Sequence, residues 1–90
     1  MLRRSLNAKL PVIKGKEFVK FLEFIGLKIV KMKGSHVRLK ADDGRVNTVQ
    51  LHEGRDLPKG LLRKIIKEDL GLSLEEFWES YSKYQKSKRD

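Results

Sequence analysis

The period of the hydrophobic pattern changes several times along this chain. Starting at Lys16, the apolar residues Phe18, Phe21, Leu22 and Ile25 recur at i, i+3, i+4 and i+7. That spacing predicts one face of an amphipathic helix, which Gly26 is placed to end in the left-handed conformation. Residues 27–33, 35–41 and 46–51 are rich in apolar and β-branched side chains, and Asp42-Asp43-Gly44 supplies turn chemistry before the last of these segments. They read as three strands, antiparallel because the connections are so short. A second helix is expected over 58–70. Pro58 suits its first turn, Leu61, Leu62, Ile65 and Ile66 form its buried stripe, and Gly71 is placed to stop it. Ser73 and Glu76 have the spacing of a capping box, after which Leu74, Phe77, Trp78 and Tyr81 again repeat at i, i+3, i+4 and i+7. This aromatic stripe reads as core packing rather than a base-stacking platform, and the lysine-rich tail after Tyr84 is expected to fray.

The fold class is therefore α+β, in the order α-β-β-β-α with an additional C-terminal helix. Residues 1–13 lack a clear period and read as a basic arm, 14–72 as the core domain, and 73–90 as the extra helix and basic tail.

Register decides which side chains share a face. A two-residue Asp43-Gly44 turn would put Val49 and Leu51 beside His36 and Arg38, mixing apolar with charged groups. A three-residue Asp42-Asp43-Gly44 loop, with Gly44 left-handed in a bulge, pairs Val37 with Val49 and Ser35 with Leu51. The second register is preferred, because a slip of one residue turns the apolar set out of the core. The opposite face then carries His36, Arg38, Lys40, Thr48 and Gln50. His52 falls diagonal to His36 if the strand extends that far, at a separation of roughly 7–8 Å.

Charge sharpens this picture. The 90 residues include 21 Lys and Arg against 12 Asp and Glu, for a formal net charge of +9. The excess is uneven: residues 14–67 carry 14 basic and 6 acidic side chains, while residues 68–82 carry only acids. The body is thus basic and the last helix acidic, and a basic body is what polyanion binding requires, since each neutralised phosphate releases counterions. Solvated lysines on helix faces would give the same composition, and charge alone leaves both readings open. No apolar run approaches the roughly 18 residues of a membrane span, and no secretory signal is evident, so a cytoplasmic location is expected. Without cysteine there is no disulfide framework, thiolate nucleophile or thiolate zinc site. The carboxylates cluster in the Asp42-Asp43 turn and the last helix, away from His36, which makes metal-dependent nuclease chemistry the weakest option. No metal or other cofactor is expected.

Lys33-Gly34-Ser35-His36, the Asp42-Asp43-Gly44-Arg45 turn, and His52-Glu53-Gly54-Arg55-Asp56-Leu57-Pro58-Lys59-Gly60 leading into Leu62-Arg63-Lys64-Ile65-Ile66 together resemble the HicA (YcfA-like) family. Leu10-Pro11-Val12-Ile13 and Gly71-Leu72-Ser73-Leu74-Glu75-Glu76-Phe77 extend the similarity to roughly residues 10–80. The resemblance implies a double-stranded-RNA-binding-like fold and a toxin that cleaves messenger RNA to stop translation. It also implies a HicB-like antitoxin that covers the site. The family's catalytic histidine, in its Gly-Ser-His motif, falls on His36. Two positions depart from the family pattern: Lys14 stands where relatives often have a helix-capping serine, and Gln50 where many have proline.

Chemistry gives these residues roles. An imidazole, with an ordinary pKa of about 6.5, serves as either base or acid near neutral pH. Lys33, Arg38 and Lys40 offer positive charge to a phosphate. His52, the second imidazole, is a possible second catalytic group. Lys59, Arg63 and Lys67 stand at i, i+4 and i+8 as a basic stripe, of which Lys59 and Arg63 are the expected RNA contacts. Gly34 suits both a turn and a close approach of phosphate to the backbone. A non-catalytic RNA-binding module would use the same basic faces without His36, and a purely protein-binding role would turn them toward an acidic partner.

Overall fold

The computed structural model describes residues 10–51 and 54–89. The elements are α1 (Gly15–Phe24), β1 (Lys28–Lys33), β2 (His36–Lys40), β3 (Val46–Gln50), α2 (Lys59–Lys64) and α3 (Leu74–Arg89). The chain forms two compact units. One is Val12–Leu57; the other holds residues 58–89 together with Leu10 and Pro11.

In the first unit the strands form an antiparallel sheet in the order β1-β2-β3. On β2 and β3 every second residue is buried, the signature of strands with one covered face. Val37, Leu39 and Val49 are fully enclosed, as are Phe18, Phe21 and Leu22 of α1. Among the described residues Asn47, opposite Leu39, is the one buried polar side chain on that inner face. The end of α1 follows from its sequence. Leu27 donates its N–H to the Leu22 carbonyl at 3.0 Å and Gly26 to that of Glu23 at 3.1 Å, with Gly26 at φ 112°. This is the 6→1 and 5→2 pair that satisfies the last carbonyls of a helix.

The β2–β3 connection is the three-residue loop. Val37 faces Val49, Ala41 donates to the Arg45 carbonyl at 2.9 Å, and Gly44 donates to that of Ala41 at 3.0 Å. Gly44 has φ +94°, a conformation open to glycine at little cost. Asp43 closes the loop by accepting from the Arg45 N–H at 3.0 Å and from its Nε at 2.8 Å. These bonds, the backbone one foremost and then the guanidinium charge, hold the Asp43 carboxyl below its usual range. The pairing continues beyond β3, because Leu51 donates to the Ser35 carbonyl at 2.6 Å.

In the second unit the helix expected over 58–70 departs from regular form. Pro58 is the residue before the helix rather than its first, and α2 gives way at Ile65 to a π-helical turn, Ile65–Asp69. Leu70 donates to the Ile65 carbonyl at 2.8 Å, five residues back, and Leu72 to that of Ile66 at 2.9 Å, across Gly71 at φ +68°. The wider turn leaves Ile65, Ile66 and Leu70 buried.

The capping box is present. Ser73 N–H donates to Glu76 Oε1 at 2.8 Å, and Glu76 N–H to Ser73 Oγ at 3.1 Å, an arrangement worth about 1 kcal/mol. The Phe77 and Tyr81 rings stack at 5.5 Å and both are buried, which makes the aromatic stripe core. Helix α3 continues through the lysine-rich stretch after Tyr84 to Arg89. Lysine and glutamine are good helix formers. Ser87 also donates to the Tyr84 carbonyl at 2.8 Å, and Lys88 lies 5.4 Å from the Tyr84 ring centre.

Candidate functional site

The outer face of the sheet is built by register. Lys33 pairs with His36 and His36 with Gln50; Lys31 pairs with Arg38 and Arg38 with Thr48; Lys28 pairs with Lys40 and Lys40 with Val46. Each row presents its side chains on the same side, with neighbouring Cβ atoms about 4.5–5.5 Å apart. All nine residues are exposed. His36 thus stands in the open on the central strand, beside Lys33 across the strands and next to Arg38 along them.

Lys33 and His36 flank the two-residue Gly34-Ser35 turn, with Gly34 at φ +56°. That tight connection fixes the two side chains as a pair. Gln50, despite its departure from the family pattern, keeps regular ladder pairing with His36. Lys14 does precede α1, and it makes no side-chain capping bond there.

Lys28, Lys31, Lys33, Arg38 and Lys40 form a cationic field with no acid in its three rows, and among the described residues none of the five has an ion-pair partner. Two like charges about 6 Å apart repel by about 0.7 kcal/mol even in bulk water. Like charges placed directly opposite therefore destabilise a sheet. Lys28–Lys40 and Lys31–Arg38 are such directly opposite pairs, and a bound polyanion would offset their charge.

Lys28 and Lys31 belong to this face although sequence reasoning left them out. Counting back through the Gly34-Ser35 turn places Lys31 opposite Arg38. The register shift between Ile29 and Lys31 is what brings Lys28 onto the same side, and it has no simple sequence signature.

A cleft of about 350 Å³ opens at the end of the sheet nearest Ser35, lined by Lys14, Lys16 and Arg55 around Gly15, Gly34 and Leu51. The return of the chain after β3 shapes it. Leu57 donates to the Ile13 carbonyl at 2.8 Å, Lys14 bridges to Asp56, and a Cβ on Gly15 would stand 2.8 Å from Leu51 Cδ2. The exposed Lys14–Asp56 ion pair, at 3.6 Å, contributes at most about 1 kcal/mol.

The remaining sequence-predicted residues are placed elsewhere. Lys59 and Arg63 are exposed on α2, in the other unit. His52 lies outside the described residues. Among the described residues, no three His, Cys, Asp or Glu side chains gather in a way that could hold a metal ion. No described helix is long and apolar enough to cross a membrane.

An α-β-β-β-α chain with one covered sheet face and one open, cationic face is a small α+β protein built on a three-stranded antiparallel sheet. A family model described as the HicA toxin of bacterial toxin–antitoxin systems matches residues 15–72, and the chain belongs to that family. No curated protein matches it significantly. Membership makes the chain the toxin member of a toxin–antitoxin pair and implies a cognate antitoxin as its partner.

Proposed function

We propose that this toxin is an endoribonuclease of the cytoplasm that cleaves messenger RNA, with His36 as general acid/base and no metal ion in the step. The observation that carries this reading is the exposed position of His36, paired with Lys33 and flanked by Arg38 on an acid-free cationic face. The His36 imidazole takes the proton from a ribose 2′-hydroxyl. The 2′-oxygen attacks the adjacent phosphorus, the P–O5′ bond breaks, and the imidazolium returns its proton to the departing 5′-oxygen. The products are a 2′,3′-cyclic phosphate and a 5′-hydroxyl, so atoms and charge balance. Lys33, Arg38 and Lys40 hold the phosphate and offset the charge that builds on its oxygens. Lys59 and Arg63 serve as further phosphate contacts on their own exposed helix. The antitoxin silences the toxin by denying RNA this face.

Positioned acid–base catalysis contributes about 10²–10⁴-fold. His36→Ala is therefore expected to lower RNA cleavage by the purified chain at least about 100-fold, with RNA affinity little changed, and to abolish growth arrest on induction. Equal cleavage by both proteins would remove His36 from the mechanism. Binding of RNA with cleavage by neither would turn the reading to a non-catalytic RNA-binding module, which the same cationic face supports.

A further inference from the structure

β1 differs from the rest of the sheet in being exposed at all six positions. It pairs with β2 along one side, and among the described residues no strand pairs with its other side. A free edge of this kind presents a row of main-chain donors and acceptors to any incoming strand. The side chains flanking that row are of two kinds. Lys28, Lys31 and Lys33 lie on the outer face. Ile29 and Met32, on the inner side, are 36% and 59% exposed, and Val30, at the register shift, is 54% exposed.

A second copy of this chain is a poor occupant. It would bring its own lysines against these three, and like charges opposite one another oppose pairing. A strand that alternates acidic and apolar side chains fits on both counts: its acids meet the lysine row while its apolar residues cover Ile29 and Met32. The lysines thus act as a filter, closing the edge to self-association and leaving it open to a partner of opposite charge.

We propose that the open edge of β1 accepts an added strand of alternating acidic and apolar side chains, and that the cognate antitoxin supplies it. Such a strand would lie two strand spacings from β2, about 10 Å away. It would neutralise the lysine row beside His36 without touching the imidazole. The inference rests on family membership and on the β1 edge, and it stands whether or not the chain cleaves RNA.

The test uses the full chain with two capped peptides matched to the six residues of β1, one alternating glutamate with valine and the other lysine with valine. Amide hydrogen exchange across Lys28–Lys33 is expected to slow at least tenfold with the acidic peptide and to stay unchanged with the basic one. The double variant Lys28→Glu/Lys31→Glu, its fold checked by circular dichroism, should bind the acidic peptide at least tenfold more weakly and gain affinity for the basic one. The antitoxin encoded with this chain should protect the same amides, and its affinity should fall at least tenfold for that variant. Protection confined to other elements, equal response to both peptides, or concentration-dependent protection of β1 without any peptide would overturn the proposal, the last by showing a second copy on the edge.

Discussion

Strands β1 and β2 run side by side in one antiparallel pair, yet β2 alternates buried and exposed positions while β1 is exposed throughout. The contrast is sharpest at a single pair. Leu39 is fully enclosed, and its partner Ile29 on the same face remains 36% exposed. Composition does not separate them, because both strands mix β-branched or aliphatic residues with cations, and neither does edge position alone, because β3 is an edge strand too and alternates as β2 does. β2 is held from both sides and anchors the core, which gives His36 and Arg38 a rigid mount. β1 contributes charge and an open edge, and its apolar residues stay partly in water, from 36% at Ile29 to 59% at Met32.

The largest expected difference lies within that pair. Leu39→Ala should cost about 2–5 kcal/mol in urea unfolding, as expected for a leucine truncated in a closed core. Ile29→Ala should cost clearly less, about 1–2 kcal/mol, because that residue is already 36% exposed. Equal losses would mean that β1 is covered in solution. A smaller effect tests the outer face. Arg38→Ala should weaken RNA binding several-fold and lower the slope of log affinity against log salt by about one, the mark of a single lost phosphate contact. An unchanged slope would move the RNA off the centre of the sheet.

The smallest effect concerns the loop that sets the β2–β3 register. The Asp43 carboxyl binds its proton less tightly in the folded chain than in the unfolded one, chiefly because the Arg45 N–H donates to it. Its contribution to stability is therefore fully present above the unfolded value of about 3.9 and is lost as pH falls through the lower folded value. Thermal melting of Asp43→Ala should trail the unsubstituted chain at neutral pH, and the gap should close in acid. A gap that widens in acid would contradict the assigned bonds.

Much of this architecture was legible in the residues. Hydrophobic spacing located α1 and α3, the Ser73–Glu76 pair marked a helix start, and burial of Val37 and Val49 selected the three-residue loop. These features rest on neighbours close in the chain. The π-helical turn was hidden because Leu61, Leu62, Ile65 and Ile66 satisfy a regular helix equally well. The hydrophobic period of α3 fades after Tyr81, so its extent to Arg89 rests on the helix propensity of lysine and glutamine rather than on spacing. At the site, His36, Arg38 and Lys40 shared a face by period alone. Lys28 joined them only through a register shift, and the Lys14, Lys16 and Arg55 cleft assembles from segments distant in sequence.

The alternation along β2 separates two kinds of inheritance. Val37 and Leu39 specify the fold, while His36, Arg38 and Lys40 face away from it and answer only to what they touch. If His36 carries the proposed step, a lineage can disarm the toxin with one substitution there and still produce a well-folded molecule, because the packed side of the strand is untouched. Such a blunted copy would go on engaging its antitoxin, and by occupying it would serve as a decoy that sets how much inhibitor remains for any armed relative in the same cell.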